Sequence, residues 1–256
     1  MSAELSGRVA IVTGAAGQYG RHISRALAGA GATVVIASRQ LDACEEFAAE
    51  LRDEGASAVA IALDQADESS ITTFVGEVID RLGRIDVLVN NAVLRRGGVP
   101  AETTYADWAA TSTVNSTGLF WLTTQVAERM AAAGRGSIIN IASIYAMIAP
   151  DFSLFEETAI APTPPFYAFD KAGMLGLTRY FAAYYGPSGV RVNAISAGGL
   201  LSDAMDPAFI AGYSRRTALR RPAGPDDIKG PLLFLASDAS GYVTGINLPV
   251  DGGRTL

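Results

Sequence analysis

The chain has 256 residues, 49% apolar and 18% charged, with 20 basic and 26 acidic side chains for a net charge of −6. That length allows one large α/β domain or two small ones with a core that needs no staples, and the acidic balance argues against a nucleic-acid surface. A single cysteine, Cys44, excludes an internal disulfide framework, and a single histidine, His22, excludes a multi-histidine metal site and leaves little room for histidine catalysis. The opening "MSAELSGRVAIVTG" has no basic region followed by a long apolar stretch, and the apolar runs are too short or interrupted to cross a bilayer. With so little cysteine, the expectation is a cytoplasmic protein without a membrane partner.

In chain order, β-rich runs alternate with helical ones. Strands are expected at 8–14, 33–38, 58–64, 85–92, 136–143, 190–196 and 245–253. The runs are continuously apolar rather than alternating, as in parallel strands covered on both faces. Between the first of them lie "RHISRALAGAG", "LDACEEFAAELRDEG" and "ESSITTFVGEVIDRLG", helical patterns that each end in glycine. Strict alternation predicts an α/β fold, a Rossmann-type doubly wound parallel sheet of about seven strands with helices on both faces. Neither repeat nor linker interrupts it, so residues 1–256 read as one domain. Cys44 reads as a packing residue and His22 as structural.

The first strand opens into "TGAAGQYGRHIS", with Gly14, Gly17 and Gly20 ahead of a helix. This spacing lets the backbone turn sharply and meet a pyrophosphate at the helix N-terminus; taken alone it also fits a mere tight turn. A dinucleotide site usually has an acid at the end of the second strand, for the ribose hydroxyls. Here that strand ends in Ser38 and Arg39. A hydroxyl and a guanidinium suit a 2′-phosphate, which favours NADP(H); Arg39 stacked on adenine would leave NAD(H) open.

A further pairing stands in "PPFYAFDKAGMLGLTRYF", where Tyr167 and Lys171 share one helical face within an apolar run. A nearby ammonium favours a phenolate and lowers the pKa of a tyrosine, which otherwise is a poor base at neutral pH. Together these segments resemble the short-chain dehydrogenase/reductase family over essentially the whole chain. "TGAAGQYG" is similar to its TGxxxGxG turn, with Gln18 at the middle glycine, and "NNAV" to its NNAG, with Val93 at the last glycine. "VNSTGLF", "INIAS", "YAFDK" and "ISAGG" complete the set, Ala197 replacing a proline. The resemblance implies a catalytic group of Asn115, Ser143, Tyr167 and Lys171. Tyr167 would exchange a proton with the alcohol or carbonyl, and Ser143 would bond the reacting oxygen. Asn115 would position a water near Lys171. The resemblance also implies cofactor contacts from Gly14, Gly17, Gln18, Tyr19, Gly20, Ser38, Arg39, Asp64, Gln65, Asn91, Ala92, Ala197 and Gly198, besides Tyr167 and Lys171. A homotetramer, or a dimer, follows from the same likeness, and with one histidine no metal is expected.

Substrate segments are expected around 144–166 and 197–215. The first, "IYAMIAPDFSLFEETAIAPTPPF", carries Asp151, Glu156 and Glu157, which would either accept hydrogen bonds from sugar or polyol hydroxyls or face solvent. "VLRRGG" after the fourth strand brings Arg95 and Arg96 to the ligand edge of the sheet, to meet an anionic group or to pair with surface carboxylates. A weaker resemblance to sugar-modifying members points to a sugar, polyol or sugar acid as substrate. Another small carbonyl compound, a non-catalytic NADP-binding sensor, and an isomerase holding its cofactor tightly remain as alternatives.

Overall fold

The computed structural model describes residues 4–156, 158, 160–202 and 205–256. Among these, seven strands form one sheet: β1 (Val9–Thr13), β2 (Thr33–Ser38), β3 (Ala58–Ala62), β4 (Val87–Asn90), β5 (Gly136–Ser143), β6 (Val190–Ala197) and β7 (Asn247–Val250). Every pairing is parallel, in the order β3-β2-β1-β4-β5-β6-β7. The doubly wound sheet expected from the sequence is therefore present, and each strand lies on its expected run. The chain order reverses between β1 and β4, and in such sheets the ligand crevice opens there, beyond the carboxyl ends of the strands.

The helices are α1 (Gln18–Gly29), α2 (Leu41–Asp53), α3 (Glu68–Leu82), α4 (Tyr105–Ser112), α5 (Leu119–Ala132), α6 (Ser153–Glu156), α7 (Pro165–Tyr185), α8 (Pro207–Arg215) and α9 (Lys229–Ala236). Local chemistry sets several boundaries. Asp67 caps α3 by accepting from the Ser69 N–H, and Gly83 ends it with φ +74°, a conformation that costs glycine little. A reciprocal Thr104–Asp107 capping box starts α4, and Pro165 occupies the first turn of α7, where its missing N–H is not needed. No described helix is long and apolar enough to cross a membrane.

Two apolar layers cover the sheet. Ile23, Leu27, Phe47, Leu51, Leu232 and Leu235 pack on one face, from α1, α2 and α9. Ile71, Phe74, Val78, Leu122, Met130 and Phe181 pack on the other, from α3, α5 and α7. A buried polar chain then fixes α7 against the strands. The Asn90 amide donates to Thr123 Oγ1 (3.0 Å) and Asn140 Oδ1 (2.8 Å), and the Asn140 amide donates to Thr178 Oγ1 (2.9 Å). Such a network restricts where α7 can sit, even with Asn90 Oδ1 left without a partner, and α7 carries Tyr167 and Lys171.

Candidate active site

The crevice at the carboxyl edge is a cleft of about 900 Å³. Its nucleotide end begins at Gly14, whose φ of +61° turns the chain out of β1. A side chain there would bring its Cβ to 2.9 Å from the Ala92 Cα. Gly20 lies beneath the same turn, and a Cβ on it would overlap the Gly14 carbonyl oxygen. Gly17 caps α1 without any side-chain hydrogen bond, so the first N–H groups of that helix are left for a ligand anion. Gln18, at the family's middle glycine, opens α1 and is exposed, so its side chain points clear of the packed side of the turn.

The flanking residues complete a cradle. Ser38 Oγ accepts from the Gln40 N–H (3.2 Å) and lies 3.0 Å from Cys44 Sγ; Arg39 beside it is exposed on the cleft. Asp64 Oδ1 accepts from the Ala66 N–H (2.9 Å), and Gln65, also on the cleft, keeps a buried Oε1 with no hydrogen-bond partner. The Asn91 amide braces the glycine turn, donating to the carbonyls of Thr13 (2.9 Å) and Gly14 (3.1 Å). Backbone space cleared by glycines, an uncapped helix start and an orphaned acceptor all fit a dinucleotide.

Tyr19 adds a tie across the cleft. Its hydroxyl donates to the Gly198 carbonyl (2.9 Å), and burial, reinforced by nearby Tyr213, holds its pKa well above the usual tyrosine range. It therefore stays a donor and joins the glycine turn to the segment after β6. Tyr19→Phe should weaken cofactor binding about fivefold, the worth of one ordinary hydrogen bond, and leave kcat at saturating cofactor nearly unchanged. Titration of the bound cofactor by fluorescence checks this.

At the other end, β5 delivers Ser143 and α7 delivers Tyr167 and Lys171, all buried and all lining the cleft. The Lys171 ammonium donates to the Ile141 carbonyl (2.6 Å) and lies 5.6 Å from the centre of the Tyr167 ring. The Arg95 guanidinium carbon is 4.4 Å from the same centre. Burial opposes ionisation of Tyr167, but Lys171, Arg95 and a hydrogen bond from Ser143 outweigh it and set its pKa below the ordinary value of 10.0. Burial likewise pushes the Lys171 pKa down, with Arg95 adding to the effect against Tyr167 and Asp170. A phenol so placed gives up and takes back its proton more readily than an ordinary tyrosine.

Asn115 sits in a π-helical turn, Thr113–Gly118, between α4 and α5. The wide turn passes so close to Gln65 that a Cβ on Gly118 would overlap the Gln65 carbonyl oxygen. The Asn115 side chain is fully engaged: Oδ1 accepts from the Leu94 N–H (2.8 Å), and Nδ2 donates to the Leu94 carbonyl (2.9 Å) and to Asp170 Oδ2 (2.8 Å). Its amide is thus a brace behind the site and does not reach into it. Asp170, not among the expected site residues, also accepts from Ser116 Oγ (3.1 Å). Burial raises its pKa, while Asn115, Ser116 and Lys171 act the other way. Its only mark in the sequence is an acid inside an apolar helical run, next to the lysine.

The substrate end differs from expectation. Ile144, Tyr145, Phe155, Ile160, Met205 and Phe209 form its wall, with Phe155 and Phe209 rings 5.6 Å apart joining the two expected substrate segments. Ala197 and Gly198 line the floor, as expected. Asp151 does not line the cleft; it pairs with Arg216 (2.6 Å) and lies 3.9 Å from Arg254. Glu156 ends α6 exposed and away from the cleft, and Glu157 lies outside the described residues. Arg96 is exposed and off the cleft as well, whereas Arg95 lines it. Tyr213, not anticipated, accepts from the Gly199 N–H (2.7 Å) and holds the backbone beside the wall. Among the described residues no cluster of metal-ligating side chains occurs.

A dinucleotide fold whose cleft ends on a phenol flanked by cations is the arrangement of a nicotinamide-dependent oxidoreductase acting on CH–OH groups. Comparison with known proteins agrees. A family model described as enoyl-(acyl carrier protein) reductase matches residues 14–255. The D-threitol dehydrogenase of Mycolicibacterium smegmatis is 35% identical over 258 residues, covering 98% of this chain and 94% of that protein. The cis-4-hydroxycyclohexanecarboxylate dehydrogenase of Sinomonas cyclohexanicum is 35% identical over 257 residues, covering 97% and 96%. A gluconate 5-dehydrogenase from Burkholderia cenocepacia, solved in complex with NADP and tartrate, has a TM-score of 0.90 at 34% identity, over 99% of this chain and 97% of that one. The chain belongs to the short-chain dehydrogenase/reductase family.

Proposed function

We propose that the protein interconverts a small secondary alcohol and its ketone with NADP(H), using Tyr167 as the proton-transferring group. The observation that carries this reading is the convergence on the Tyr167 phenol of Ser143 and two cations, Lys171 and Arg95. In oxidation Tyr167 takes the hydroxyl proton while Ser143 holds the same oxygen; in reduction Tyr167 returns the proton to the carbonyl. Lys171 stabilises the phenolate and would also help hold the nicotinamide ribose of a bound cofactor. A bound nicotinamide supplies or accepts the hydride.

The cleft wall supports a substrate with substantial apolar surface over a fully hydroxylated one, since Asp151 and Glu156 are turned elsewhere. A sugar or polyol substrate keeps support from the relatives, among them the D-threitol dehydrogenase and a galactitol 2-dehydrogenase of Cereibacter sphaeroides. Turnover of a panel of secondary alcohols and ketones, followed through nicotinamide absorbance, tests the assignment; cofactor binding with no turnover of any member would sink it.

Cofactor choice rests on the end of β2, where Ser38 and the exposed Arg39 offer a hydroxyl and a guanidinium and no carboxylate. Ser38→Asp should reverse the preference, lowering kcat/KM for NADP roughly 100-fold relative to NAD by setting a carboxylate against the 2′-phosphate. A wild-type protein that clearly prefers NAD would show that Arg39 only stacks on the adenine.

A further inference from the structure

Among the described residues, Arg95 and Lys171 are the charged side chains that line the cleft and face Tyr167, and of the two only Arg95 is exposed. Its placement is built into the backbone. A single amide, Asn115, holds both the N–H and the C=O of Leu94, and Asp170 holds that amide in turn. The peptide leading into Arg95 is therefore fixed, and only its side-chain torsions remain free. Arg96, one residue on, leaves the cleft.

Among the described residues no carboxylate pairs with Arg95. Its exposure lets water satisfy the guanidinium in the free protein. A substrate lying on Ile144, Phe155, Ile160 and Phe209 displaces that water, and a neutral apolar group would then leave the cation poorly solvated. An anionic group would replace the water with charge-assisted hydrogen bonds.

The position of that anion is constrained as well. The reacting hydroxyl must lie within about 2.7 Å of the Tyr167 oxygen, and a carboxylate about 2.8 Å from the guanidinium nitrogens. With the guanidinium carbon 4.4 Å from the centre of the phenol ring, the two anchors are neighbours. A carboxylate many bonds from the carbinol carbon could not meet both without folding back.

Resting on the dehydrogenase reading above, we infer that the substrate is a 2- or 3-hydroxy acid, or the matching oxo acid, whose carboxylate is bound by Arg95 and whose remaining carbons lie on the apolar wall. Arg95 thereby selects the substrate and also adds a second cation beside the candidate base. The charged and titratable groups facing Tyr167 are Lys171, Arg95, Tyr145 and Tyr19. Of these Arg95 is the only cation besides Lys171, so removing it moves the acidic limb of the oxidation profile to higher pH. In the substrate-bound protein a carboxylate on Arg95 would offset much of that influence.

The test compares short 2- and 3-hydroxy acids with their methyl esters and with acids hydroxylated far from the carboxylate, using intact protein and either cofactor. Acid and ester are compared within each variant at one pH below the range of rapid ester hydrolysis, so that a shift in the ionisation of Tyr167 acts on both alike. The wild type should prefer the near hydroxy acids over both other sets. Arg95→Ala should lower kcat/KM for them roughly 10- to 100-fold, chiefly through KM, and change ester turnover far less. Arg95→Met, which keeps most of the stem, should behave as Arg95→Ala does, and Arg95→Lys should recover part of the loss. Equal use of acids and esters, a preference for neutral polyols, or parallel loss of both activities in Arg95→Ala would overturn the inference while the dehydrogenase reading stands. No turnover of any alcohol or ketone would instead overturn both.

Discussion

Tyr167→Phe is expected to lower kcat by about 10²- to 10⁴-fold, the usual contribution of a positioned general acid or base. The substitution removes one oxygen and keeps the ring, whose packing against Tyr145 (centroids 6.5 Å apart) and beneath Arg95 does not depend on the hydroxyl. Cofactor affinity should stay within about twofold, because Lys171 and the glycine turn are untouched. The sign of the pH dependence follows from the lowered pKa of Tyr167. Alcohol oxidation needs the phenolate, so its rate rises with pH and levels off above that pKa, below the ordinary value of 10.0. Ketone reduction needs the phenol and falls through the same pKa. In Tyr167→Phe both limbs should vanish from the residual rate. Near-normal turnover in that variant, or limbs that persist, would remove Tyr167 from the mechanism.

Much of the fold is legible in the sequence, for identifiable reasons. Continuous apolar strands and glycine-terminated helices report their own environment, so the sheet and its carboxyl-edge crevice are readable from periodicity. Tyr167 and Lys171 are readable because one turn of α7 fixes their relation whatever lies around them. Side chains on irregular segments carry no such rule. Asp151 and Glu156 stand close in sequence to the expected substrate region, yet Asp151 is captured by Arg216, contributed by the turn after α8. Arg95 and Arg96 are adjacent in a stretch without regular structure, where no periodicity says which of the two side chains meets the cleft. Sequence offers both as candidates, and only the clamp on Leu94 decides between them.

Asp170 is the opposite case, a side chain on a regular helix whose partners come from elsewhere. Its position in α7 is clear from the sequence, but the π-helical turn that brings Asn115 and Ser116 against it leaves no simple periodic mark. Asn115 itself differs from expectation in what its amide does. That amide is consumed in bracing Leu94, the residue before Arg95, and in holding Asp170.

Gly20→Ala carries the second large expected effect, and it acts on the cofactor instead of the chemistry. Besides overlapping the Gly14 carbonyl oxygen, the new Cβ would lie 2.7 Å from Ala15 Cα and 2.8 Å from the Ala15 carbonyl carbon. All three obstacles are backbone, so no rotamer change relieves them. The Gly14 carbonyl accepts from the Gly17 N–H (3.1 Å) and the Asn91 amide (3.1 Å), and displacing it loosens both. Overpacking of this kind costs about 1–3 kcal/mol of stability. Because the same turn forms the cradle, the dissociation constant of the cofactor should rise more than about tenfold. Turnover at saturating cofactor should recover most of the wild-type value, since Ser143, Tyr167 and Lys171 stand on other elements. Gly76→Ala provides the control: Gly76 lies within α3, and a Cβ there meets nothing within 4 Å. That change should stabilise the protein by about 0.5–1 kcal/mol through helix propensity alone. Thermal melts of both variants with and without NADP separate the two effects. A Gly20→Ala protein that binds cofactor as tightly as wild type would show that the turn can open at little cost, and that the pyrophosphate is held elsewhere.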